Sequence, residues 1–134
     1  MSEALRELGD YIAVALANEV AGTEVAHGEL MVWVKCESLV RVLTFLRDDT
    51  NCQFKCLMDI CGVDYPERDE RFEVIYNLLS LTHNQRIRLK VGCDADTPVP
   101  SATEVFSSAG WWEREAWDMY GVYFSGHPDL RRIL

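Results

Sequence analysis

No apolar run in this sequence approaches the roughly 20 residues that a helix needs to cross a bilayer, and its first residues lack the basic-then-apolar plan of a secretory signal. Both absences point to a cytosolic protein, or to one held at a membrane by a partner. Cations are also scarce: 13 Lys and Arg stand against 22 Asp and Glu, a formal charge of −9. Such a surface repels phosphate backbones and anionic lipid, which argues against nucleic-acid and membrane-surface binding. Glycine-rich dinucleotide fingerprints and phosphate loops are missing too. There is no internal repeat, low-complexity tract or linker. A chain of 134 residues that is 49% hydrophobic can bury one core and has little room for two, so a single domain over 1–134 is expected.

Cysteine is present but in an odd number: Cys36, Cys52, Cys56, Cys61 and Cys93 do not form the framework of a secreted disulfide scaffold. Reduced thiols are the expectation. Cys52, Cys56 and Cys61 stand close enough to suggest iron–sulfur ligands, but they fall in what reads as a strand, with Cys56 and Cys61 on opposite faces. No cluster is expected there.

What is present reads as alternating helix and strand signals. Leu5, Leu8, Ile12, Leu16 and Val20 recur at helical spacing, with Ser2 as a cap and Gly22 as a stop, which predicts a helix over 3–21. Thr23 to His27 and Leu30 to Cys36 are β-prone runs around Gly28-Glu29, a hairpin signal. Leu39, Val42, Leu43 and Leu46 predict a second helix over 38–49. Strands are predicted over 54–63, 71–81 and 86–93. The last is the clearest, with Ile87, Leu89, Val91 and Cys93 alternating against Arg86, Arg88 and Lys90. The charges at 67–71 read as a solvated loop, and Thr82-His83-Asn84-Gln85 as the turn of an antiparallel hairpin. Thr97-Pro98-Val99-Pro100 forbids regular structure, and Ser101 with Glu104 forms a capping box that opens a short helix. The sum is an α+β fold: an antiparallel or mixed sheet of about five strands covered by helices.

Aromatic residues crowd the end of the chain. Trp111, Trp112 and Trp117 are followed by Tyr120, Tyr123 and Phe124. Three tryptophans represent roughly 11–19 kcal/mol of gross burial, comparable with the net stability of a whole domain. Trp112, Ala116, Met119 and Tyr120 share one face of a helix, and Trp111, Glu115 and Asp118 share another. Either the helix simply docks on its own sheet, or it packs on one side against its domain and on the other against a partner. Gly121 is a natural stop, and Gly126-His127-Pro128-Asp129 a rigid turn toward an extended, basic Leu130-Arg131-Arg132-Ile133-Leu134.

The residues Glu113-Arg114-Glu115, Trp117-Asp118-Met119-Tyr120-Gly121-Val122, Phe124 and Gly126-His127-Pro128-Asp129-Leu130-Arg131-Arg132-Ile133-Leu134 closely resemble the signature of the respiratory complex I 30-kilodalton subunit family, the C subunit of bacterial NADH-quinone oxidoreductase. Upstream, Asp59-Ile60-Cys61-Gly62-Val63-Asp64-Tyr65 and Phe72-Glu73-Val74-Ile75-Tyr76-Asn77-Leu78 are similar to that family as well, so the resemblance spans nearly the whole chain. It implies a scaffold that binds no flavin, iron–sulfur cluster or quinone itself. FMN and the clusters would sit in partner subunits. The scaffold would pack in the peripheral arm against the 49-kilodalton subunit and the subunit carrying the quinone-proximal cluster, on the cytoplasmic side of a bacterial inner membrane. Family members generally continue past the arginine pair in a long tail that wraps neighbours, whereas this sequence ends at Leu134.

The resemblance and the residue chemistry together nominate a partner interface: Trp111, Glu113, Arg114, Glu115, Trp117, Asp118, Tyr120, Phe124, His127, Pro128, Asp129, Arg131 and Arg132. No catalytic, cofactor-binding or metal-binding residue is nominated. Glu113 and Glu115 stand two apart on a helix and do not face each other, so solvated or interfacial ion pairing is expected rather than acid–base work. His127 near Asp129 reads as turn-stabilising, since no nucleophile adjoins them. His27 and His83 read as surface histidines. Arg131 and Arg132 are the favoured partner contacts, because a guanidinium fork binds carboxylates with two hydrogen bonds. The rival readings are the equivalent subunit of a related membrane-bound hydrogenase or F420-linked complex, a small enzyme using Glu113, His127 or Asp129, and a free-standing binding module.

Overall fold

The computed structural model describes residues 2–68, 72–93 and 98–127. The chain opens with α1, Ser2–Ala15, whose Leu8 and Ile12 are buried with Leu16 just beyond, while Leu5 packs against them. The helix ends well before the expected 21. The Val20 N–H still bonds the Leu16 carbonyl (2.9 Å), but Val20 then enters β1, Val20–Ala26. Gly22, read as the helix stop, lies inside this strand, where a register shift between Val20 and Gly22 makes a bulge. Tertiary pairing has overridden the helical period: the β-branched Val20, Thr23 and Val25 pair with β2, Glu29–Val34. Ser2 is itself the first helical residue, and its side chain lies outside the described residues.

The hairpin between β1 and β2 turns on His27 and Gly28, with φ of 54° and 75°. Two left-handed positions match the twist of the flanking strands, so the turn falls one residue before the expected Gly28-Glu29. A single 3-10 turn, Cys36–Ser38, then leads into α2, Leu39–Asp48, which buries Leu39, Val42, Leu43 and Leu46 as its spacing predicts.

Three strands follow: β3, Cys56–Asp64; β4, Phe72–Ser80; and β5, Gln85–Cys93. The sheet order is β1-β2-β5-β4-β3, with β2 and β5 parallel and the other pairs antiparallel, so the expected five-stranded mixed sheet and α+β class are found. Burial alternates strictly along β4 and β5, and the buried set forms one hydrophobic cluster with the inward residues of β2, α1 and α2. The helices therefore cover one face. The opposite face carries a polar line across four strands: Asn77 donates to Asp59 (2.6 Å), Arg88 donates to Asn77 (3.1 Å), and Arg88 lies 3.5 Å from Glu29.

A register shift between Leu57 and Asp59 overturns one expectation about the cysteines. Cys56 pairs with Leu79 and Cys61 with Ile75, two residues on the same side of β4, so Cys56 and Cys61 share a face. Cys52 is not in the strand. It is buried ahead of β3, and burial foremost pushes its thiol up to about 12.

Near the end, β6, Val99–Pro100, pairs in parallel with β7, Phe124–Ser125. The stretch expected to be irregular therefore holds a short strand. Val99 N–H donates to the Tyr123 carbonyl (2.8 Å) and Ser101 N–H to the Ser125 carbonyl (2.9 Å). Pro100 occupies the position between, where the ladder needs no donor.

Candidate functional site

The aromatic segment forms α3, Ala109–Tyr120, closed by Gly121 at φ 76° with its N–H on the Trp117 carbonyl (2.9 Å). Gly121 is the stop that its sequence position predicts, since a left-handed cap carries no penalty in glycine. The buried stripe of α3 is Ala109, Glu113 and Ala116, with Trp112 half-buried beside it. Trp112 and Ala116, expected to share a face, both lie on the inward side. Met119 and Tyr120, predicted on the same face, are 64% and 38% exposed. The helix crosses β3 with its last turn outside the core, and the Tyr120 ring lies against Gly62, where an added Cβ would meet it at 3.0 Å.

Glu113, expected to be solvated or interfacial, is fully enclosed (0% exposed). Its two oxygens explain how: one accepts the Ser101 hydroxyl at 2.7 Å and the other the Ala102 N–H at 2.7 Å. Ser101 Oγ also lies 2.9 Å from Thr103 Oγ1 and accepts the Thr103 N–H at 3.2 Å. The carboxylate partner of Ser101 is therefore Glu113 on α3, and Glu104 is exposed. The short helix expected after Ser101 is one turn, closed by Phe106 N–H on the Ala102 carbonyl (2.8 Å).

His127 adds a third strut. Its Nε2 lies 2.9 Å from the Gly110 carbonyl, and a carbonyl only accepts, so Nε2 carries the proton there. The same nitrogen stands 3.9 Å from a Glu113 oxygen, with both side chains almost wholly buried. Tyr76 is fully buried, and its hydroxyl has no hydrogen-bond partner among the described residues. Burial, then the charge of Glu113, pushes its hydroxyl well above the usual range. Burial likewise raises Glu113, against the opposing pull of Ala102 N–H, Ser101 and His127.

The nominated residues thus divide. Glu113, Phe124 (1% exposed) and the His127 side chain face the chain's own interior, so Glu113 and Phe124 are corrected from interface to core. Phe124 is held there by the pairing of β7 with β6. Trp111 is 52% exposed with the Arg114 guanidinium 5.7 Å from its ring centre, and Tyr120 is exposed. Arg114, Glu115, Trp117 and Asp118 are half-buried. Pro128, Asp129, Arg131 and Arg132 lie outside the described residues. Residue reasoning missed Ser101, Ala102 and Tyr76 around the carboxylate, and the exposed Met119 and Tyr123 (57%). Alanines at 109 and 116, four before and three after Glu113, were the available sign that this stripe faces inward.

Chemically, the cluster is a lock rather than a nucleophile: the serine hydroxyl donates to a carboxylate, not to the imidazole, and the group is enclosed. Among the described residues, no set of three or more His, Cys, Asp or Glu could hold a metal ion, and no helix is long and apolar enough to cross a membrane.

Fold and site together define an α+β module whose last helix is pinned from within by a buried glutamate and turns aromatic rings outward. Residues 32–134 match the family model described as respiratory-chain NADH dehydrogenase, 30 Kd subunit. The chain is 62% identical over 135 residues to the NADH-quinone oxidoreductase C subunit of Paramagnetospirillum magneticum, covering 100% of this chain and 68% of that protein. It is 61% identical over 132 residues to the corresponding C subunit of Rhodospirillum rubrum, covering 98% and 62%. The chain belongs to the respiratory-chain NADH dehydrogenase 30-kilodalton subunit family, and it spans about two thirds of the length of these relatives. Among solved structures it superposes on a trypsin-resistant fragment of Nqo5 with a TM-score of 0.73 at 28% identity, covering 95% of this chain and 99% of that one. An archaeal membrane-bound sulfane sulfur reductase shares the fold, with a TM-score of 0.76 at 22% identity over 91% of this chain and 71% of that one.

Proposed function

We propose that this chain is a cofactor-free structural subunit of the peripheral arm of NADH-quinone oxidoreductase, on the cytoplasmic side of a bacterial inner membrane. The assembly passes electrons from NADH to a quinone and couples this to proton translocation, with FMN and iron–sulfur clusters held in other subunits. In this reading the 49-kilodalton subunit and the subunit bearing the quinone-proximal cluster are the neighbours. Trp111, Arg114, Glu115, Trp117, Asp118 and Tyr120 meet them, together with Pro128, Asp129, Arg131 and Arg132, while His127 braces the turn from inside.

One observation carries this reading. A helix fixed from inside by Glu113 leaves Trp111, Met119, Tyr120 and Tyr123 exposed within thirteen residues of chain. Large aromatic surfaces gathered in one place are what partner chains cover, and tryptophan and tyrosine are enriched among the residues that dominate interface energies. The test is affinity capture of the chain from native membranes, followed by identification of every co-purifying polypeptide. The 49-kilodalton and quinone-proximal cluster subunits should be recovered together with flavin-bearing chains. Recovery of hydrogenase-type subunits instead would transfer the chain to a related machine, and recovery of none would defeat the proposal.

A further inference from the structure

Strand β3 lies at the end of the sheet order, so among the described residues its outer edge is unpaired. The register shift at Leu57 and Asp59 twists the first part of that edge away, a common protection against stray pairing, but Ile60 to Asp64 then run in register with β4 and have no such guard. Beside this straight portion lies a cleft of about 130 Å³ between Ile60–Gly62 and the last turns of α3, where Glu115, Met119 and Tyr120 form the lip. Glu115 makes no hydrogen bond or ion pair with the described residues. Asp59, on the opposite sheet face, stands close enough to act on the exposed Cys61, whose thiol is raised by burial first, then by Asp59, with Glu115 a lesser contributor and Arg88 opposing.

We propose that this edge receives an extended segment of a neighbouring chain as a sixth strand, with basic and apolar residues in alternation. This rests on the proposed role as an assembly subunit and specifies one of its contacts. Backbone groups of β3 supply hydrogen bonds, and side chains of an added strand alternate between the two faces. On the helix side they meet Ile60, Met119 and Tyr120, which select apolar groups. On the open side they meet Asp59 and Cys61, where a lysine or arginine is favoured, while Glu115 stands on the helix side at the lip of the cleft and favours a further cation flanking the apolar positions. The opposite edge strand, β1, is bulged within its own pairing at Val20 and Gly22.

The experiment compares the isolated full chain with the assembly purified from native membranes, by hydrogen–deuterium exchange and by alkylation of Cys61 with N-ethylmaleimide. The alternate amides among residues 60–63 that face away from β4 should exchange at least tenfold more slowly in the assembly, and Cys61 should be alkylated at least tenfold more slowly. Glu115→Lys should lower recovery of the assembly at least fivefold at low salt, with the melting temperature of the isolated chain unchanged. Equal exchange in both states overturns the proposal, as does slowed alkylation without slowed amides, which would mean a cover that forms no strand. If the chain assembles yet β3 is unprotected, only this edge contact fails. If no partner is recovered, the assembly role fails and takes the contact with it.

Discussion

A carboxylate removed from water is costly unless every lone pair is answered, and Glu113 is answered by a hydroxyl, a backbone N–H and a nearby imidazole. Removing the carboxylate strands the Ala102 N–H in the interior, at about 1–3 kcal/mol, while the Ser101 hydroxyl can turn to Thr103 Oγ1 at 2.9 Å, so Glu113→Ala should lose on the order of 2 kcal/mol in urea unfolding. The folded-state value of Glu113 lies above its ordinary 4.5, because burial outweighs the hydrogen bonds. The sign follows: its contribution is complete below the unfolded value and is lost as pH rises through the folded one. Wild type should therefore lose stability relative to Glu113→Gln from about pH 4.5 upward, by no more than about 1.4 kcal/mol per pH unit for one proton. Paired urea titrations between pH 4 and 8 check this, and parallel curves for the two proteins would refute it.

At the scale of elements, what was legible is what local spacing determines. The strands expected at 54–63, 71–81 and 86–93 occur at 56–64, 72–80 and 85–93, because alternation is a property of each strand by itself. The end of α1 is not legible locally, because only pairing across to β2 turns Val20 and Gly22 into strand. The capping-box pattern points Ser101 at Glu104 because that pattern is local, whereas the actual partner, Glu113, is twelve residues away. Gly121 is the counter-case, a position legible from its place alone. Its φ of 76° is strained for any residue with a Cβ, and no atom lies within 4 Å of one built there, so the cost of substitution is conformational rather than steric. Gly121→Ala should thus destabilise by about 1 kcal/mol with an unchanged dependence on denaturant, and a shift within error of zero would show that the cap relaxes freely.

At the scale of the whole molecule, the one-sided layering of helices on the sheet leaves both the polar line from Asp59 to Glu29 and the outer aromatics of α3 at the surface. The candidate site was half legible for a related reason. A signature in sequence marks which residues matter without saying which way they point, so Glu113 and Phe124 were grouped with Trp111 until the fold separated inward from outward. The arginine pair at 131 and 132 belongs to the same signature. Two forked cations in a chain of net charge −9 do little for a core, and they suit carboxylates on another chain. Changing both to alanine should therefore leave the urea midpoint of the isolated chain unchanged while reducing recovery of partner subunits from membranes severalfold. The deficit should narrow as salt is raised, because screening weakens the wild-type contacts too. Undiminished co-purification would remove the pair from the interface, and a drop in both stability and recovery would assign it to the fold.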